Sequence, residues 1–361
     1  MRLFIKIFFR QSHYLFCIMK QLIILLILLF LIINSSCVKD KPQDIINPIF
    51  NVSANNQVFI INEGPFNVGS GSISLYDPFS NKVSEDFYYQ QNSSYLGNIV
   101  QSMTQINGEY CICINNSGKI IFCDKNFKKT HEISGLVSPR YIQQVSNQKA
   151  YVTDLFANAI SVINLVNYTK TSIIPCYGKS EKMLQLYNEV YVTNTDKEYV
   201  YIINATTNLI IDSVNVGHNC YGLEIDQNDK IWTLSSGKNN VSPAKLSKIN
   251  PTNHQIEKAL VFTINETPNY LCLNKTKDTL YFINSNIYRM GINDNTLPNS
   301  FFIQNGNRAF YGLGINPNDY TLYVSDAIDF NQKSSIYVYS SNGNQKNTFK
   351  TNICSNSFYF K

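Results

Sequence analysis

Charged residues are scarce in this chain, and their charges nearly cancel. They make up 15% of its 361 residues, with 30 basic side chains against 25 acidic ones. Four of the basic residues precede Cys37, in a stretch that holds no acid, so the formal charge of +5 overstates the charge of the rest. Proteins that bind nucleic acids neutralise phosphates with a basic surface. The composition therefore gives no basis for a nucleic-acid partner.

The motifs that mark common catalytic and metal sites are missing as well. The chain has four histidines and nine cysteines, but no C-x-x-C, H-x-H or H-E-x-x-H spacing. It also lacks a G-x-S-x-G nucleophile motif and a phosphate-binding loop. We therefore predict no catalytic residue, no metal ligand set and no cofactor, and expect a protein that is not an enzyme.

A hydrophobic run occurs near the N-terminus. The apolar stretch Leu22–Ile33 is shorter than the roughly 20 residues that a spanning helix needs, but it suits the core of a signal peptide. Lys20 supplies the positive flank, and Met19 is an alternative start of translation. The run ends in Asn-Ser-Ser-Cys, which resembles a bacterial lipoprotein processing site with Cys37 as the acylated residue.

These features divide the chain into three parts. We expect a lipoprotein signal peptide over residues 1–36, and a lipidated Cys37 followed by a flexible tether to residue 57. The folded domain is then expected over residues 58–361. The alternative for the N-terminal part is ordinary secretion, with Cys37 as a free thiol.

What the sequence does contain is a repeat. Its clearest copies read KAYVTDLFANAISVINLVNYTK and NEVYVTNTDKEYVYIINATTN. An aromatic residue near the start of each copy recurs at intervals of roughly 40–50 residues, at Phe59, Tyr110, Tyr151, Tyr191, Trp232, Tyr281 and Tyr323. Repeats of this length that hold several short strands are typical of β-propellers. We therefore predict an all-β fold, a seven-bladed β-propeller of four-stranded antiparallel blades.

The two ends of the repeat region predict how the ring closes. We denote the strands of a blade A to D from the axis outward. The first unit begins directly at strand B, Val58–Asn62, and the last unit is followed by an extra strand, Ser357–Phe360. The C-terminal strand is therefore expected to pair into the first blade as its strand A. Left unpaired, its aromatic side chains would expose an apolar patch.

Cysteine positions predict buried free thiols. Cys111 and Cys113 alternate on one strand and so face the same side, whereas Cys123 on the next strand is expected to face the other side. The later cysteines stand singly at apolar strand positions. Cysteines in such places behave as small hydrophobic residues.

Strand direction predicts which residues meet. Because antiparallel strands alternate in direction, the B–C and D–A loops of every blade lie on the same face. Polar loop residues and tyrosines at equivalent strand positions then form a polar funnel suited to a small molecule. The candidate ligand-binding residues are Asn62, Glu63, Arg140, Tyr141, Asp154, Asn194, Tyr221, Tyr311 and Asp326.

Each candidate also has a structural interpretation. Asn and Asp after a strand are turn formers, so Asp154, Asn194 and Asp326 are equally well explained as caps of their own loops. Glu63 and Arg140 are not turn formers and should lie near the axis. A structural ion pair accounts for them about as well as ligand binding does.

Several segments resemble a known family. The stretches VFIINEGPFNVGSGSISLYD, GLVSPRYIQQVSNQKAYVTDL, GLEIDQNDKIWTL and GLGINPNDYTLYVSDAIDFNQ are similar to YncE-like surface-lipoprotein propellers of Bacteroidota. The resemblance covers nearly everything after residue 57. Members often accompany TonB-dependent outer-membrane transporters, and one branch captures cobalamin. The resemblance therefore implies a lipid-anchored outer-membrane protein that faces the cell exterior, binds a corrinoid on its funnel and passes it to a transporter.

Two other functions remain open. The first is a scaffold that binds another protein through an exposed rim. The second is a propeller lactonase, in which Glu63, Asn115, Asn194 and Asp326 would form an axial ring of oxygen ligands for Ca²⁺. The order and context of these residues do not match the lactonase family, and a fold by itself does not determine a chemistry.

Overall fold

The structure is a computed structural model that describes Lys20 and residues 56–361. The predicted signal peptide, the acylated Cys37 and most of the tether lie outside the described residues. In the described part, no helix has both the length and the apolar character needed to cross a membrane. The folded unit already includes Gln57, which is buried and whose carbonyl accepts a hydrogen bond from the backbone N–H of Lys361 over 3.0 Å.

The described residues form 27 β-strands and one short helix. The strands of the first three blades are β1 (Val58–Asn62), β2 (Ser72–Asp77), β3 (Lys82–Ser84), β4 (Val100–Ile106), β5 (Glu109–Ile114), β6 (Lys119–Cys123), β7 (Lys129–Ile133), β8 (Pro139–Ser146), β9 (Lys149–Asp154), β10 (Ala159–Asn164) and β11 (Thr169–Pro175). Those of the fourth and fifth blades are β12 (Ser180–Leu186), β13 (Glu189–Asn194), β14 (Tyr199–Asn204), β15 (Leu209–Asn215), β16 (Cys220–Ile225), β17 (Ile231–Ser235), β18 (Lys245–Asn250) and β19 (Gln255–Val261). Those of the last two blades and of the closure are β20 (Asn269–Leu273), β21 (Thr279–Asn284), β22 (Asn286–Gly291), β23 (Phe310–Ile315), β24 (Leu322–Asp326), β25 (Lys333–Tyr339), β26 (Gln345–Ile353) and β27 (Ser355–Phe360).

These strands form seven antiparallel sheets, which confirms the predicted seven-bladed β-propeller. In blades 2 to 5 and in blade 7, the four strands of a sheet follow one another in sequence. In blade 6 the sheet β20-β21-β22 has three strands, and its fourth position is reduced to a single bridge between Ile287 and Ile303. Neighbouring blades cover strand B from both sides, so β1, β17 and β24 are buried along their whole length.

The C-terminal strand closes the ring as expected. β27 pairs antiparallel with β1, and the sheet of blade 1 has the order β27-β1-β2-β3. The backbone N–H groups of Glu63 and Gly64 also donate to the carbonyls of Cys354 and Ile353. The rings of Phe358 and Phe360 lie against Tyr323 of blade 7, at 5.8 and 5.4 Å between ring centroids. The last strand therefore joins the first blade to the last one.

The repeated aromatic residues form the core between blades. All seven anchor residues are buried, and Phe59 and Tyr110 contact each other across the first blade boundary at 5.2 Å between ring centroids. Cys123 lies in one hydrophobic cluster, whereas Cys111 and Cys113 lie in the next, as strand alternation predicted. The described cysteines are free thiols. Burial raises the pKa of Cys113 to about 12, so this thiol stays protonated.

One element was not predicted, the helix α1 (Phe87–Asn92). It follows β3, which has only three residues, and so takes the place of a full outer strand in blade 1. Its buried Phe87 and Tyr88 pack on Phe127 of blade 2. Because the helix has six residues, it is too short to show the apolar period by which helices are recognised.

Candidate functional site

The inner strand of every blade carries one extra residue near its start. In each case the register between strand A and strand B slips by one position at the same level of the propeller. Such bulges bend a strand and re-aim a side chain. The side chains at this level come from Gln101, Arg140, Glu181, Tyr221, Tyr270, Tyr311 and Asn356.

All of these residues except the buried Glu181 line a cavity at one end of the propeller axis, which we call the upper cavity. Its volume is about 620 Å³. Besides the inner strands, Glu63 and Ser236 from B–C loops line it. The B–C loops and the starts of the inner strands therefore share one face, as strand direction predicted. Five of the nine candidate residues line the cavity, namely Glu63, Arg140, Tyr141, Tyr221 and Tyr311.

Arg140 is the centre of one hydrogen-bonded group in the upper cavity. Its Nε donates to Oε2 of Glu181 on the next blade over 2.9 Å, and its Nη1 donates to Oε1 of Gln101 on the preceding blade. Its backbone carbonyl accepts a bond of 2.6 Å from the Ser102 hydroxyl. Three consecutive blades are thus joined around one guanidinium. Glu181 is almost fully buried, so this is an internal ion pair rather than a surface one.

Glu63 is the centre of a second group. The Tyr311 hydroxyl donates to its Oε2 over 2.9 Å, and the Asn356 amide donates to its Oε1 over 2.8 Å. The same amide donates to the carbonyl of Gln101 over 2.9 Å. Through Gln101, the Glu63 group is continuous with the Arg140 group.

Burial governs the acidity of both carboxyl groups. Burial raises the pKa of Glu63, although the hydrogen bonds from Asn356 and Tyr311 and the charge of Arg140 oppose the rise. Burial likewise raises the pKa of Glu181, against the charge of Arg140 and the hydrogen bond from it. Burial also raises the pKa of the Tyr141 hydroxyl, which stays protonated as a hydrogen-bond donor.

The opposite wall of the upper cavity is aromatic. Tyr270 and Tyr311 meet edge to face with ring centroids 5.8 Å apart, and Tyr311 meets Phe330 in the same way at 5.1 Å. Tyr221 is 42% exposed at the cavity wall. Tyrosines on one side and charged groups on the other form a site with a flat apolar surface and fixed hydrogen-bonding partners, as small-molecule sites commonly have.

The other four candidate residues do not line the cavity, which corrects their predicted place in the funnel. Asp154 accepts bonds from the backbone N–H groups of Ser138, Phe156 and Ala157. The other three also hold their own loops and strands through hydrogen bonds, namely Asn62, Asn194 and Asp326. The turn-former interpretation therefore describes the contacts of Asp154, Asn194 and Asp326.

The proposed calcium ring is also not assembled. Of its four members only Glu63 lines the upper cavity, and Asn115 instead donates to the carbonyls of Ser138 and Pro139. Within residues 56–361 and at Lys20, no group of three or more His, Cys, Asp or Glu side chains is arranged to hold a metal ion.

Four residues of the site were missed from the sequence, namely Gln101, Glu181, Tyr270 and Asn356. Counting equivalent positions along strand A would have found Tyr270, because Tyr221 and Tyr311 occupy the same place in neighbouring blades. The other three stand at the same level, but their residue types differ from blade to blade, so no repeated residue marks them.

Comparison with known proteins gives one family. The sequence profile of the family described as "Domain of unknown function (DUF5074)" matches residues 56–361. No curated protein matches the sequence.

Solved structures share the fold at low sequence identity. The chain is 15% identical to a quinoprotein alcohol dehydrogenase-like protein from Bacteroides thetaiotaomicron, with 85% of this chain and 78% of that one covered and a TM-score of 0.68. It is 12% identical to the β-propeller domain of Cps50 (Swd1) from Myceliophteria thermophila, with 82% and 99% covered and a TM-score of 0.60. It is also 12% identical to hydrazine synthase from Kuenenia stuttgartiensis, with 68% and 80% covered and a TM-score of 0.51. At these identities the likeness shows the fold alone.

Proposed function

The chain belongs to the DUF5074 family, and we propose that its propeller binds a small-molecule nutrient in the upper cavity without transforming it. The propeller fold and the likeness to a Bacteroides propeller favour a binding or scaffold role. The observation that carries the proposal is the cavity of about 620 Å³, with charged groups on one wall and tyrosines on the other.

The fixed positions of the charged groups in the upper cavity support ligand binding. Glu63 and Arg140, which line the upper cavity, are each held by hydrogen bonds to neighbours on other strands. Such groups keep fixed positions and present their remaining lone pairs and N–H groups to a ligand. A preorganised site of this kind loses little entropy when the ligand binds.

We propose a corrinoid as the ligand. This identity rests on the resemblance to YncE-like surface lipoproteins, one branch of which captures cobalamin. A corrinoid is a broad, flat macrocycle with amide arms, so it would lie across the mouth with an arm in the cavity. Amides donate and accept hydrogen bonds, which suits a wall that offers both the Glu63 carboxylate and the Arg140 guanidinium. The exposed ring of Tyr221 would contact the apolar part.

We further propose that a TonB-dependent outer-membrane transporter receives the ligand at this face. Large apolar side chains are exposed on the loops around the mouth, among them Phe66 at 72%, Tyr95 at 66%, Phe156 at 60% and Tyr177 at 70%. Exposed aromatic side chains of this kind favour protein–protein contact. The protein would be held at the outer membrane by lipid on Cys37 and would face the cell exterior.

The same exposed rim favours a second candidate, a protein-binding scaffold that takes no small molecule. Isothermal titration calorimetry of the protein with cyanocobalamin separates the two. Saturable binding that a calcium chelator leaves unchanged supports nutrient capture. No heat with cyanocobalamin, together with capture of a transporter, supports the scaffold. Calcium-dependent hydrolysis of lactones would replace both with an enzyme.

A further inference from the structure

The opposite end of the propeller axis holds a second cavity, which we call the lower cavity. Its volume is about 690 Å³, and it is lined by the later residues of the inner strands and by the turn between β20 and β21. Arg140, Gln101 and Glu63 of the upper cavity do not line it. We propose that the lower cavity is a binding site for a small organic anion with an apolar body, an aliphatic or aromatic carboxylate.

The lower cavity is lined by positively charged side chains, as a site for an anion requires. Lys182 of β12 and Lys275 and Lys277 of the β20–β21 turn all line the lower cavity. In the part of the chain that the structure describes, none of these three ammonium groups has a hydrogen-bond acceptor or an ion-pair partner. Several lysines elsewhere in the propeller are paired, for example Lys230 with Glu257 at 2.7 Å. Three unpaired ammonium groups from two blades therefore converge on one cavity.

Negative charge in the cavity is too small to neutralise them. Glu224 is the single acid among the lining residues. Its carboxylate feels the charges of Lys182 and Lys277, but burial raises its pKa. The neighbouring carboxylate of the same turn, Asp278, accepts hydrogen bonds from Asn274 and Thr279 instead. The other titratable groups that line the cavity are the hydroxyls of Tyr141 and Tyr359, which are neutral at physiological pH. The cavity is thus positive whether Glu224 is ionised or not.

The apolar part of the lower cavity's wall indicates which kind of anion would bind. A large part of the lining is aliphatic and aromatic, formed by Met103, Ile142, Leu223, Ile315, Phe358 and Phe360. A purely inorganic anion would leave these surfaces in contact with water. An anion with an apolar body would cover them, and would gain about 25 cal/mol for each Å² of apolar surface removed from water. Positive charge beside an apolar wall therefore favours a carboxylate with an apolar body.

Lys182 has the most important position. It lines both cavities and is more enclosed than Lys275 and Lys277, which are exposed. A charge pair formed there with a ligand is less screened by solvent than one at the turn. We therefore expect Lys182 to contribute more to the affinity than either lysine of the turn.

The test is an NMR titration of the protein with 4-phenylbutyrate and its matched analogues 4-phenylbutanamide and 4-phenylbutylamine. The carboxylate should bind, with the amide at least about tenfold weaker and the amine weaker still, since only the carboxylate completes a charge pair. Lys182→Met should weaken 4-phenylbutyrate by about tenfold or more, and Lys277→Gln by a smaller factor. Lys238→Gln, at an exposed loop on the upper face, is the control and should change nothing.

Three results would contradict an anion site in the lower cavity. Equal binding of the three compounds, or no binding of the carboxylate at millimolar concentration, would overturn the proposal. So would unchanged affinity in both Lys182→Met and Lys277→Gln. Should Lys182→Met fail to fold, Lys277→Gln in the exposed turn decides the question by itself.

Discussion

The hydroxyl of Tyr311 donates a hydrogen bond to Oε2 of Glu63 over 2.9 Å. Tyr311 belongs to the inner strand of the last blade, whereas Glu63 follows the first strand of the first blade. Asn356, on the closing strand, donates to the other oxygen of the same carboxylate. One carboxylate therefore takes part both in the closure of the ring and in the wall of the upper cavity.

Removing the Tyr311 hydroxyl should destabilise the fold. In Tyr311→Phe the partly buried carboxylate of Glu63 loses one donor, and a hydrogen bond to a charged group contributes about 1.5–3 kcal/mol. The free energy of unfolding is measured in urea from the fluorescence of Trp232, which is the single tryptophan of the chain and is buried. Tyr177→Phe removes a hydroxyl from a side chain that is 70% exposed and should change nothing. Equal effects of the two changes would mean that the Glu63 bond contributes nothing to stability.

Deleting residues 355–361 should abolish the folded domain. β27 is the inner strand of blade 1, and without it β1 loses its partner on the axis side. The point variant Phe358→Ala removes part of the same contact and should cost about 1–3 kcal/mol, since its side chain is partly buried. Phe79→Ala is the matched control, because Phe79 is fully exposed. A truncated chain with an unchanged melting temperature would refute this closure.

Gly312 should resist substitution. A Cβ at this position would lie 2.6 Å from the carbonyl oxygen of Asn356, so the inner strand of blade 7 approaches the closing strand more closely than any side chain permits. Gly312→Ala is expected to cost about 1–3 kcal/mol of stability because the two strands must move apart. At Gly291 a Cβ would have no neighbouring atom closer than 3.4 Å, so Gly291→Ala should be tolerated. Urea unfolding of both variants measures the contrast, and equal stability would show that the closing strand can shift at no cost.

Glu224→Gln should change how stability depends on pH. Burial raises the pKa of Glu224 above its ordinary value of 4.5, although Lys182 and Lys277 oppose the rise. The folded chain then binds this proton more tightly than the unfolded chain, so the wild type loses stability as the pH rises from about 4.5 through the raised pKa. Glu224→Gln does not ionise at this position, so its stability does not fall in this way.

The stability of Glu224→Gln relative to the wild type should therefore rise as the pH increases from about 4.5 to the raised pKa of Glu224. Above that pKa the difference between the two should stay constant. A pKa difference of one corresponds to about 1.4 kcal/mol, which urea unfolding at a series of pH values resolves. Glu257→Gln, at an exposed surface pair, is the control. A difference that stays constant from pH 4 to pH 8 would contradict the raised pKa of Glu224.

The sequence was sufficient for the architecture because the fold repeats. Each anchor aromatic residue stands at the same place in its blade, and the missing strand before Val58 and the spare strand at the C-terminus define the closure. Strand direction then placed Glu63 and Arg140 on the same face. These inferences need only the period and the alternation of strands.

The composition of the site could not be obtained in the same way. Whether a polar residue at a strand end faces the axis depends on the one-residue bulge in strand A, which leaves no mark in the sequence. Asp154 and Asn194 end strand B and bond to their own loops, whereas Gln101 stands at the bulge and lines the upper cavity. A loop-forming residue and a site residue differ here by geometry and not by residue type.

The ion pair of Arg140 makes this residue a poor position for a variant that tests ligand binding. Arg140 is bonded to the buried Glu181, so Arg140→Ala would leave that carboxylate without its partner. Loss of a buried partner costs about 3–5 kcal/mol, and a loss of binding would then be confounded with a loss of stability. Tyr221 lines the same cavity but is 42% exposed, so its removal disturbs the fold less.

The most direct test of the central claim is the affinity for cyanocobalamin of the wild type, Tyr221→Ala and Tyr177→Ala, measured by calorimetry. Tyr221 lines the upper cavity, whereas Tyr177 is an exposed tyrosine on the same face that does not line it. We predict saturable binding by the wild type, a loss of about tenfold or more in Tyr221→Ala, and no change in Tyr177→Ala. Absence of saturable binding, or equal affinities of the wild type and Tyr221→Ala, would contradict a ligand site in the upper cavity.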